Sequence, residues 1–106
     1  MNVCTPNKRY LTRQLLTNGN VFGLSVVTVD ASGRKIYHEP FSEECHSTLW
    51  VNGSIIVVKT EELNDFLLSD IEMMLERGRS YADINDFLVS SSLYAVDEEP
   101  CTAIIF

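Results

Sequence analysis

A chain of 106 residues can bury one core but not two, so a single domain spanning 1–106 is expected. A hydrophobic content of 45%, with no apolar run near the ~20 residues of a membrane span, excludes both a disordered chain and a membrane-spanning one. The formal charge of −7 is lopsided: residues 1–59 hold six Lys/Arg and four Asp/Glu, residues 60–106 hold two and eleven, and this acid surplus disfavours nucleic-acid binding.

The N-terminus, Met1 to Lys8, lacks the apolar core of a signal peptide. Cys4, Cys45 and Cys101 lie far apart, none in a CxxC, and read as reduced thiols. Together these point to a soluble cytoplasmic protein.

Along the chain, Tyr10–Thr17 admits two readings. As a helix it stops at Gly19; as a strand it pairs across Asn18-Gly19 with Val21–Val27. The strand reading is adopted. Phe22, Leu24 and Val26 alternate with smaller residues, a half-buried strand pattern. Asp30-Ala31-Ser32-Gly33 then makes a longer hairpin loop into Arg34–Phe41.

Residues 38–46 crowd together groups able to bind metal or move protons. His38, Cys45 and His46, with Glu44 as a further ligand, form a candidate zinc site. Their His-x6-Cys-His spacing departs from the short-spaced ligand pairs of structural zinc. Strand alternation would also send Cys45 and His46 to opposite faces. The competing reading is an acidic, solvated connection, in which no cofactor is bound.

Asn52-Gly53 between Ser47–Val51 and Ser54–Val58 is a strong hairpin signal. The implied register sets Trp50 against Ile55 and His46 against Lys59. Both faces of this hairpin are apolar, so it needs cover on both sides, from helices, another sheet or a second subunit. Trp50, Ile55 and Val57 are therefore candidate interface residues.

Thr60 is placed to cap a helix whose apolar face is Leu63, Phe66, Leu67, Ile71 and Met74, ending at Gly78. Asp70 interrupts that face. It is either a buried acid with a shifted pKa or, with Ser69, a cap where the helix breaks. Ser80-Tyr81-Ala82-Asp83 resembles a capping box opening a second helix with Ile84, Leu88, Ser91 and Ala95 inward. Asp97–Pro100 ends it, and Cys101–Phe106 reads as a final strand returning to the sheet.

The expected fold is α+β: a mostly antiparallel sheet of five to six strands with two C-terminal helices packed on one face. There is no glycine-rich phosphate loop, GxSxG elbow or HExxH. The leading functional expectation is a protein-interaction or assembly module without catalytic activity, as a homo-oligomer or with another protein. The alternatives are a small metal-dependent enzyme or sensor using His38–His46, and an acidic adaptor for a basic protein partner.

Overall fold

Asn18 and Gly19 both take positive φ, 51° and 74°, the pair of values a type I′ turn demands. That turn folds residues 9–29 into one long hairpin. A computed structural model of the chain describes residues 2–42, 48–94 and 99–106. Its strands are β1 (Asn2–Val3), β2 (Arg9–Thr12), β3 (Gln14–Thr17), β4 (Asn20–Phe22), β5 (Ser25–Val29), β6 (Ile36–Pro40), β7 (Thr48–Trp50), β8 (Ser54–Lys59) and β9 (Cys101–Ile105). The helices are α1 (Asp65–Glu76) and α2 (Tyr81–Ser90), preceded by a 3-10 turn at Thr60–Glu62.

The fold is α+β, as expected, but its strands divide between two mixed sheets. One has the order β1-β9-β8-β3-β4, the other β6-β5-β2-β7. The long hairpin belongs to both. Leu15 pairs with Phe22 in β3–β4, and Thr12 with Ser25 in β2–β5, so the register runs on unbroken while the ribbon bends at Arg13 and at Gly23-Leu24. β7 and β8 make the same crossing beside it, running parallel to β2 and β3.

The Asn52-Gly53 hairpin therefore does not form. Trp50 pairs with Leu11, Ile55 with Ile105 on one side and Leu15 on the other, and Lys59 with Cys101. Neither Asn52 nor Gly53 has positive φ, so the I′ geometry that makes Asn-Gly a reversal is absent. Gly53 is needed for space instead: a Cβ there would collide with the Phe106 carbonyl oxygen. Thr12, fully buried, ties this corner together. Its hydroxyl lies 3.0 Å from Gln14 O and 3.2 Å from Gly53 O. Phe106 N donates to Ser54 O at 2.9 Å.

β8 explains why its sequence is apolar on both faces. Ile55 and Val57 enter the core between the sheets with Tyr10, Leu15 and Val27. Ile56 and Val58 enter a second core under the helices with Leu16, Ile71, Ile84 and Leu88. The two-sided cover comes from within the chain. At about 1.5–3 kcal/mol for each buried aliphatic side chain, β8 is a principal source of stability.

Helix ends are set by local chemistry. Thr60 does not cap α1; Asn64 does, its Oδ1 accepting from Leu67 N at 2.9 Å. Gly78, at φ 72°, ends α1 in a Schellman motif, with Arg79 N donating to Met74 O and Gly78 N to Leu75 O. Ser80 caps α2 as expected, accepting from Asp83 N at 3.1 Å. Asn85 Nδ2 donates to Gly19 O, fastening α2 to the hairpin tip. The last strand returns beside β8, as anticipated, and receives β1 on its other edge. Among the described residues, no helix is long and apolar enough to cross a membrane.

Candidate interaction surface

The two helices cover one outer face of the molecule, that of the five-stranded sheet. Neither helix lies on the outer face of the four-stranded sheet, where Val26 is nonetheless fully buried. Val27 and Val29 point into the inter-sheet core, so alternation turns Val26 and Thr28 outward. The register sets Leu11 and Glu39 on either side of Val26, and Trp50 beyond Leu11. Tyr37, two residues before Glu39, shares that face. Past the bend, Phe41 N donates to Leu24 O at 3.2 Å.

The result is a surface rich in aromatic and aliphatic groups. Trp50 is 51% exposed and Tyr37 56%, with Leu24 and Phe41 also exposed. Its charges are of both signs. Arg9 Nη2 bonds Glu39 Oε1 at 3.2 Å, an ion pair that spans β5. Arg13, at the corner, stacks its guanidinium over the Trp50 ring at 5.3 Å.

Of the sequence candidates, Trp50 lies on this surface. Ile55 and Val57 are buried between the sheets, so the interface expectation does not extend to them. His38 is on β6 opposite Val27, inward-facing, with its ring 4.7 Å from that of Phe22. Together with Gly23, Leu24, Ser25 and Pro40 these rings line a small cavity of about 240 Å³. Glu44, Cys45 and His46 lie outside the described residues, as does Ala95. The proposed zinc ligands are thus represented by His38 alone. Among the described residues, no three His, Cys, Asp or Glu side chains converge at a spacing that could hold a metal ion.

Asp70 is exposed on an unbroken α1, neither a buried acid nor an internal cap. Leu63 precedes the helix, so the buried stripe centres on Leu67 and Ile71, and Asp70 falls about 80° to one side. It rims a groove of about 200 Å³ with Met73, Met74, Arg77, Arg79 and Phe87. Phe66, expected inward, is 84% exposed for the same reason. A larger cleft of about 500 Å³ sits where Arg34, Thr60, Glu61, Glu99 and Pro100 meet. Its Glu99 is committed to Lys59 at 3.6 Å.

Two buried or constrained titratable groups complete the inventory. Burial pushes the Cys4 thiol up to about 12, far from the reactive thiolate range. Asp30 is held below its ordinary value by the Ser32 hydroxyl and by the Lys35 and Arg34 amides, which order the β5–β6 loop.

The sequence reading missed the outer face because its residues come from four strands. One signal was present: Tyr37, Glu39 and Phe41 alternate with Ile36, His38 and Pro40, a strand with aromatic groups on its charged side. Comparison with protein-family models, with curated proteins and with solved structures finds no match.

Proposed function

We propose that this chain is a protein-interaction or assembly module that works by binding rather than by catalysis. The observation that carries the reading is the exposure of Trp50 and Tyr37 on the edge strands of the four-stranded sheet, away from the helices. Large exposed aromatic groups are common at docking surfaces, and Trp, Tyr and Arg are the residues that most often dominate such contacts. Arg13 stacked on Trp50 pre-orients both side chains, which lowers the entropy lost on binding. The acid surplus repels phosphate backbones, so the partner is a protein.

Site-specific photo-crosslinking in cells tests this. A photoreactive side chain at Tyr37 should give protein adducts, whereas one at Glu76 on α1 should give few. Equal labelling at the two positions, or none at Tyr37, overturns the reading.

A further inference from the structure

We infer that the groove between α1 and α2 is a second docking site, one that takes the C-terminal residues of a partner protein: an apolar last side chain, its free carboxylate, and a Lys or Arg three residues earlier. The groove holds about 200 Å³ between Asp70, Met73, Met74 and Arg77 on one side and Arg79 and Phe87 on the other. It is separate from the Trp50 and Tyr37 surface, so either can fail without the other. Glu76 stands about 100° round α1 from Arg77 and lines no part of the groove.

Size is the first argument. Drug-sized ligands need pockets of about 300 Å³ or more, whereas a cavity of ~150 Å³ accommodates a benzene ring. This groove therefore suits one apolar side chain. Its floor is Met73, Met74 and Phe87, and the two thioethers adapt to the shape of what they meet. Met73 is 43% exposed, so the floor is open to solvent. The two stretches outside the described residues attach elsewhere. Residues 43–47 join β6 to β7, and Tyr94 and Glu99, on either side of 95–98, both stand at Lys59. α1 leaves from that end of the molecule and α2 returns to it, where Lys59 N donates to Leu93 O at 3.2 Å. The groove lies towards the other end, where the helices join.

Charge is the second argument. Residues 60–106 hold eleven Asp/Glu and only two Lys/Arg, and those two, Arg77 and Arg79, both frame this groove. Arg79 has one long contact, with Asp83 at 3.9 Å, both groups exposed. Arg77 makes no ion pair among the described residues. α1 ends and α2 begins at this corner, so the two helix dipoles offset each other and the guanidiniums set the sign. A guanidinium grips a carboxylate through paired, charge-assisted hydrogen bonds. Asp70 lies seven residues before Arg77, about 10 Å along the helix. An extended chain covers that span in three residues at about 3.3 Å each. With its carboxylate at the arginines and its last side chain on the floor, the partner brings the residue three before its end beside Asp70, where a cation is favoured.

Fluorescence anisotropy with a rhodamine-labelled peptide, Gly-Ser-Lys-Ala-Ser-Leu with a free C-terminus, is the test. Titrated with the purified chain to about 1 mM, it should bind saturably with a dissociation constant on the order of 100 µM, since a single side chain and a carboxylate anchor it. The C-terminal amide and a peptide ending in Ser should each bind about fivefold to tenfold more weakly, and so should the free acid to Arg77→Ala or Arg79→Ala. Both arginines are exposed, so the variants fold. Replacing the peptide's Lys by Glu should weaken binding to the native chain and have little effect with Asp70→Ala. Phe66→Ser, on α1 but outside the groove, should bind as the native chain does. No saturable binding, or an amide that binds as tightly as the acid, overturns the proposal. Binding retained by both arginine variants also overturns it, since the peptide then sits elsewhere on the surface. Equal binding of the Lys and Glu peptides overturns the role given to Asp70.

Discussion

Gly53 sits where no side chain fits. Its hydrogen points at the Phe106 carbonyl oxygen, which is itself the main-chain partner of Ser54 N at 3.4 Å. Gly53→Ala must push one backbone off another, so it should cost about 2 kcal/mol or more and lower the melting temperature by roughly 10 °C. Gly23→Ala, where a Cβ meets nothing within 4 Å, should be nearly neutral. Equal melting temperatures for the two variants would show that the corner is soft. Cys4 makes a prediction of a different kind. Its folded pKa, raised by burial from 9.0 to about 12, means the fold favours the neutral thiol. The unfolded chain loses that proton first. Its stabilising contribution is complete below pH 9 and is lost as pH rises from 9 towards 12. Thermal melts between pH 8 and 11 should therefore fall more steeply for the native chain than for Cys4→Ala. Parallel slopes would assign the alkaline loss to other groups.

Both helices end in the same motif, once with glycine and once without. After α2, Leu93 N donates to Leu88 O and Ser92 N to Val89 O, and Ser92 takes φ 56° where α1 uses Gly78. A left-handed Ser with an exposed side chain gives up energy that glycine would not. Ser92→Gly should gain about 0.5 kcal/mol, a few degrees in melting temperature, and Gly78→Ala should lose about 1 kcal/mol. A destabilised Ser92→Gly, measured in the same melts, would mean the turn is not strained. Elements like these were legible because their causes are local: Ser80 capping α2, Gly78 ending α1, Asn18-Gly19 reversing a hairpin. What escaped the sequence was where ribbons change sheet. Tyr10 and Leu15 both face the inter-sheet core although they stand five positions apart, an odd step, and so do Phe22 and Val27. Alternation slips by one at each crossing, so a strand read as a single pattern assigns one of its halves to the wrong face. Asn52-Gly53 shows the limit most directly. Its dipeptide is the same as Asn18-Gly19, but Gly53 is selected by the approach of Phe106, a residue more than fifty positions away. The proposed metal ligands failed to be tested for a plainer reason, since three of the four lie outside the described residues.

At the scale of the whole molecule, charge and layer order coincide. The helical face carries the acids of both helices and the turn before them, while the outer side of the four-stranded sheet carries Arg9, Arg13 and Glu39. Among the described residues the ion pairs near the acidic layer are long: Arg79 to Asp83 at 3.9 Å, both exposed, and Lys59 to Glu99 at 3.6 Å, with Lys59 half-buried. Surface pairs of this kind contribute at most about 1 kcal/mol. Self-repulsion among the remaining carboxylates therefore outweighs them. Screening shortens the reach of these charges to about 10 Å at 0.1 M salt, and repulsion spread over a surface is screened more than a contact pair. Raising sodium chloride from about 10 mM to about 300 mM should then stabilise the fold, by roughly 2–5 °C in melting temperature. Glu72→Lys, placing a cation inside the acidic layer, should raise the low-salt melting temperature and shrink the salt response. The melts belong at low micromolar chain concentration, so that the effect reports the isolated chain. A melting temperature that falls with salt would show that attraction, not repulsion, governs the helical layer.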